Sequence, residues 1–385
     1  MNNSDAVEFV LMRGGTSKGV FLRAEDVPRD RTELISFLLD LFGSPDRRQI
    51  DGLGGADKLT SKVAIIGKPT MPDTDLTYLF GQVGIQAPEV DFNFNCGNLT
   101  AAVGMYAIQE DLVEAVDGVV TVRIHNVNTG KIIYAHVPVI DGEPVVEGEL
   151  AIGGVPGTGA PIGLDFSRTA GAITGKLLPL GAPTVSLAVP GYDAVDVSVV
   201  DCANLVVFVA ADALGMSGTE TPDQIDGNRA LVARLDAIRK AVAHKTGLGE
   251  YWDSRTVPST PMCVVVQRPQ TYKTFSTGAE IAAGAIDLVC RQYSTGATSK
   301  ALAATVASCT GVACRIDGTI AARYLGPRAA SRELIELGHP SGIIGVEALV
   351  DVDSGGFQVR SARILRTARR LAEGKAFLKK RRLGK

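Results

Sequence analysis

The sequence predicts an α/β (α+β) fold of two similar halves, each a curled sheet around one central buried helix. Three observations carry that expectation. The chain has 385 residues, which at roughly 150 residues per domain exceeds one ordinary core. Short runs rich in β-branched residues recur along both halves. One stretch in each half, Asn98–Ile108 and Lys300–Ala313, is built of Ala and other small or apolar residues with almost no charge. A helix that is apolar on every face is buried on every face.

In the first half the β-type runs are Phe9–Arg13, Val20–Leu22, Lys62–Ile66, Leu76–Val83, Val119–His125, Ile132–Val139, Val145–Leu150 and Gly163–Asp165. The second half repeats the texture at Thr184–Ala188, Val195–Val200, Leu205–Val209, Met262–Val266, Ile343–Val350 and Gly356–Arg363. Asp30–Phe42 and Gly227–His244 read as amphipathic surface helices, the latter with Arg229, Arg234, Asp236 and Arg239 interrupting its apolar positions. Leu-Pro-Leu-Gly-Ala-Pro before Thr184 marks a boundary. The expected domains are 1–183, completed by a strand within 363–377, and 184–362, followed by a basic tail at 378–385.

Composition narrows the function. Hydrophobic residues are 45%, charged residues 21% and net charge −3, so the chain folds around a large core and is no general nucleic-acid binder. The start of the chain lacks a signal-peptide pattern and no run reaches the ~20 apolar residues of a membrane span, so a cytoplasmic protein is expected. Six scattered cysteines without a CxxC pair read as free thiols. Four histidines, none at ligand spacing from another, argue against a zinc or iron site.

Asn95-Cys96-Gly97-Asn98 opens the first charge-free helix. A thiol there meets unpaired backbone N–H groups and the positive end of the dipole, which favours thiolate and makes an anion site. The alternative is a small buried cysteine with Asn98 as a cap. Arg13-Gly14-Gly15-Thr16-Ser17-Lys18 offers donors only, as suits a carboxylate or phosphate, or is simply a polar hairpin turn. Lys62, after Thr60-Ser61, heads an apolar strand where desolvation makes an amine a usable base, although many such lysines only face solvent. Asn204, Ser294, Lys300 and His339-Pro340-Ser341-Gly342 place further polar groups at strand ends or at the second helix, with Thr298 and Ser299 as its caps. Two such helix starts facing one cleft would clamp a ligand bearing two or more carboxylates.

Met12 to Gly19, Asp51-Gly52-Leu53-Gly54-Gly55, Thr60-Ser61-Lys62, Asn95-Cys96-Gly97-Asn98, Gly154 to Gly159, Gly175 to Pro179, Gly338 to Gly342 and Arg366 to Arg370 together resemble the PrpF / methylitaconate isomerase family over essentially the whole chain. The resemblance implies a diaminopimelate-epimerase-like fold with the active site between two pseudo-symmetric domains. It implies a cofactor-independent isomerase that moves a carbon–carbon double bond in a small di- or tricarboxylate such as methylitaconate, 2-methylaconitate or aconitate, with Lys62 and Cys96 as catalytic residues. A 4-oxalomesaconate tautomerase, an amino-acid epimerase and a non-catalytic accessory to a dehydratase are the alternatives. The expected partner is a small polycarboxylate, with no nucleic acid or membrane and with a homodimer allowed.

Overall fold

The computed structural model describes residues 6–353 and 356–379; most of the basic tail lies outside that range. Most strands pair into one continuous sheet that wraps two helices. The helices in chain order are α1 (Arg31–Phe42), α2 (Gly97–Gln109), α3 (Pro222–Gly227), α4 (Arg229–Lys245), α5 (Gly249–Asp253), α6 (Ala304–Cys314) and α7 (Ile320–Tyr324).

α2 and α6 are the two charge-free segments. Every residue of α2 up to Ile108 and every residue of α6 is buried. Small side chains make this feasible, because strands can then close on the helix from all sides. The closest approach is at Gly14, where an added Cβ would sit 2.2 Å from the carbonyl oxygen of Asn98 and 3.1 Å from Ala102 Cβ. Outside the sheet, α1 lays Leu34, Leu38, Leu41 and Phe42 on the first array of strands, starting from the Asp30 cap and ending at Gly43 with φ 68. α4 covers the second array with Leu231, Leu235, Ile238 and Val242. The late strand Ala368–Phe377 runs antiparallel to Ala6–Gly14, so the two ends of the described chain are neighbours.

Some elements differ from expectation. α6 begins at Ala304 with Ala303 as its N-cap, and no side chain caps it. Thr298 and Ser299 instead sit at a strand end, where the Ser299 N–H bonds to Gln292 O at 2.8 Å. Small residues favour the buried helix, but the backbone at 299–303 is already committed to that strand and to the Gln292 side chain, which accepts from Ala303 N at 2.9 Å. Val145–Leu150 is mostly loop, bounded by the short pairings Glu143–Pro144 and Leu150–Ala151. Strands Leu288–Ser294 and Leu334–His339 escaped the sequence reading because polar residues break their β pattern. No helix among the described residues is long and apolar enough to cross a membrane.

Candidate active site

A strand end and a helix start, 34 residues apart, bring an amine and a thiol into contact. Lys62 opens the strand Lys62–Gly67, between Gly19 in parallel register and Gln82 in antiparallel register. Cys96 is the N-cap of α2, extended at φ −116 and ψ 92. Lys62 Nζ donates to Cys96 Sγ at 3.3 Å. Both residues are buried, at 7% and 6% exposure. The Phe80 ring, 5.4 Å from Nζ and edge-on to Phe94, forms an apolar wall beside the pair.

α6 forms the opposite wall. Neither Cys96 nor Ala303 caps its helix through a side chain, so the first-turn N–H groups of both helices lack side-chain acceptors. Both positive dipole ends meet one cleft. Gly97 permits the meeting, since a Cβ there would lie 2.9 Å from Phe166 Cζ and from Thr305 Cγ2. Beneath them Asn204 Nδ2 donates to Thr305 Oγ1 at 2.7 Å and to Asn95 O at 3.2 Å, tying the two helix starts together. The cleft has a volume of about 50 Å³ and adjoins a wider basin of about 650 Å³ through Lys58, Leu59, Gln82 and Thr295.

Of the residues singled out in the sequence, Thr16, Lys62, Asn95, Cys96, Gly97, Asn98, Ser294 and Ser299 line this cleft. Lys300 lines the outer basin only. The others are placed elsewhere. Arg13 is spent on the backbone, donating to Thr367 O at 3.0 Å and to Gly15 O at 3.1 Å. Ser61 Oγ donates to Gln49 Oε1 at 2.6 Å. Ser17 is buried in the hairpin it forms with Gly14, and Lys18 stands opposite Arg13 in the same hairpin. Ser341 Oγ donates to Lys300 O, and Gly342 O accepts from Tyr272. His339 lines a separate cavity. Asn98 is itself held, donating to Thr16 Oγ1 at 2.9 Å and accepting from Arg366 Nε at 3.0 Å, which fixes the first turn of α2.

Lys58 is one of the cleft residues that sequence reasoning missed. Its Nζ donates to Ala297 O at 3.2 Å across the cleft. Burial pushes its ammonium down to about 8, with Asp226 and Asp57 pulling the other way. It precedes Lys62 by four residues in a loop, where such spacing signals nothing. Gln82, Gln292 and Thr305 were missed for the same reason: each is an ordinary polar residue until the fold assembles them. All six cysteines are free and buried. Among the described residues no three His, Cys, Asp or Glu side chains gather as metal ligands do.

The chain matches the PrpF protein family over residues 5–379. It is 46% identical over 385 residues, spanning 100% of both chains, to the 3-methylitaconate isomerase of Eubacterium barkeri. It is 37% identical over 387 residues, 96% of each chain, to the 2-methyl-aconitate isomerase of Shewanella oneidensis. A crystal structure of methylitaconate-delta-isomerase superposes with a TM-score of 0.80 at 46% identity, covering 97% of this chain and 96% of that one. A hydroxyproline epimerase from Agrobacterium vitis shares the fold alone, with a TM-score of 0.59 at 11% identity over 99% of this chain and 95% of its own. The fold is therefore epimerase-like, and the chain belongs to the PrpF family and is an isomerase.

Proposed function

We propose that this isomerase moves a carbon–carbon double bond in a small unsaturated di- or tricarboxylate by a 1,3-allylic proton shift, without a cofactor. The observation that carries the reading is the 3.3 Å contact of Lys62 with Cys96 at a cleft where two helix N-termini meet. Removing a proton next to a carboxylate-bearing alkene leaves a delocalised dienolate. The first-turn amides of α2 and α6 are preorganised donors for its developing charge. The amine–thiol pair takes the proton and returns it two carbons away.

Among the residues lining the cleft, the titratable ones are Lys58, Lys62 and Cys96, all from the first half of the chain. The opposing wall offers Gln292, Ser294, Thr295, Ser299 and Thr305, and it places Ala303 at the helix cap where α2 has Cys96. A racemase returning a proton to the opposite face wants a second base there. This arrangement supports removal and return on one face of the substrate. In D2O the enzyme is expected to incorporate deuterium at the allylic carbon of one acid among methylitaconate, 2-methylaconitate, cis- and trans-aconitate and oxalomesaconate, as followed by proton NMR. With stereospecifically deuterated substrate in H2O, part of the label should migrate with its face retained. No exchange with any of these acids overturns the reading.

Lys58, the cleft's other amine beside Lys62, is assigned the carboxylate remote from the reacting carbons. Lys58→Met is expected to raise KM about tenfold with little change in kcat, as loss of a charge-assisted bond predicts. Lys58 is charged below about 8, so kcat/KM of the parent enzyme should fall as pH rises through that value. The variant should lose that fall. An unchanged alkaline limb in Lys58→Met contradicts the assignment. A cytoplasmic setting belongs to the same reading, supported by six thiols left unpaired.

A further inference from the structure

A second cavity, of about 260 Å³, adjoins the cleft at Thr16, which lines both. Its walls are mainly apolar, with Ile152, Leu164, Leu302, Ile343 and Ile364 among them. A water takes up ~30 Å³ of liquid, so the space suits a small organic molecule.

Two polar side chains are buried in this apolar wall, His339 at 2% exposure and Arg366 at 4%. Arg366 donates through Nε to Asn98 Oδ1 at 3.0 Å and through Nη1 to Leu365 O at 2.9 Å. Its Nη2 makes no hydrogen bond, and the side chain makes no ion pair, among the described residues. Burial pushes the guanidinium down to about 10, with no carboxylate near enough to hold it up. His339 Nδ1 accepts from Ser341 N at 3.2 Å, which leaves the ring proton on Nε2. Burial, then Arg366 and Arg291, push this imidazole down to about 3, so the ring is neutral at working pH and acts there as a donor. The acid in the wall, Glu347, is exposed and stands opposite Arg363 in strand register.

An unpaired guanidinium in an apolar wall carries a large desolvation cost that an arriving anion offsets. Carboxylates suit it best, since a guanidinium presents parallel N–H groups to two oxygens. We infer that this cavity is a second binding site, for a carboxylic acid with a short apolar chain, with Arg366 and His339 on the carboxylate and the isoleucines and leucines on the chain. Asn98 connects it to the first turn of α2, yet neither Arg366 nor His339 lines the cleft of Lys62 and Cys96. The inference does not depend on the identity of the isomerised substrate.

Calorimetric titration of the full-length protein with isovalerate and hexanoate tests it. Saturable binding is expected, weaker by about tenfold or more for isovaleramide, which lacks the charge. Binding should persist in Lys62→Ala. Arg366→Met should abolish it, but that buried change risks the fold. Ala151→Trp is the safer variant, because Ala151 is an exposed wall residue on the strand Leu150–Ala151. It should block the cavity and abolish binding while isomerisation continues. Equal affinity for acid and amide, binding that survives Ala151→Trp, or binding lost in Lys62→Ala would each overturn the inference. The last result would place the acid in the catalytic cleft instead.

Discussion

Lys62→Ala yields a folded protein whose kcat is lower by about 10²–10⁴, the range for loss of a positioned base, with deuterium exchange reduced in step. Lys62 begins its strand, and its amine hydrogen-bonds to Cys96 and faces the Phe80 ring, so truncation leaves the sheet pairing intact. Lys62→Arg should not restore activity, since a guanidinium stays protonated and cannot take a proton. Cys96→Ala should cost a comparable factor. The double variant should be little worse than the poorer single one, because groups sharing a proton act as a unit. Exchange assays beside circular dichroism check all four proteins. Exchange at the parent rate in Lys62→Ala would remove the amine from the chemistry.

Gly14→Ala is expected to give a large loss of stability. Its Cβ would arrive 2.2 Å from the Asn98 carbonyl oxygen, a backbone atom of a helix enclosed on every side, so neither partner has a side-chain torsion with which to yield. Overpacking ordinarily costs about 1–3 kcal/mol, and this site should reach at least the top of that range. Asn98 also stands two residues beyond the Cys96 thiol. Shifting it by ~1 Å should lower kcat by about 10² as well. Calorimetric Tm and kcat measured together test the packing, and a variant near the parent in both would refute it. Gly97→Ala should be milder for stability, because its neighbours are the tips of Phe166 and Thr305.

The features legible in the sequence were those set by local pattern. The absence of charge from Asn98 to Ile108 could only mean a helix enclosed on all sides, and α2 follows it within a residue or so. The start of α6 was not legible, because 299–303 has helix-compatible small residues whose backbone is claimed by a strand and by Gln292. In the site, Lys62 and Cys96 stood out because each sits where a regular element begins. Lys58, Gln82 and Gln292 did not, since their relevance arises from long-range pairing. Arg13 misled for the converse reason: a cation beside two glycines looks like an anion cradle, but strand Ala368–Phe377 returns alongside it and the adjoining Thr367 takes its donors. His339 was read as facing the substrate and instead faces the neighbouring cavity.

The cleft beside Lys62 and Cys96 has a volume of only about 50 Å³, that of one or two waters at ~30 Å³ of liquid each. A six-carbon diacid outsizes that chamber, and the Lys58 and Asn204 contacts hold its walls together. An acid of that size would extend past Lys58, Leu59, Gln82 and Thr295 into the adjoining basin of about 650 Å³, so the narrow end beside the amine and thiol sets which end of a molecule is shielded from bulk solvent.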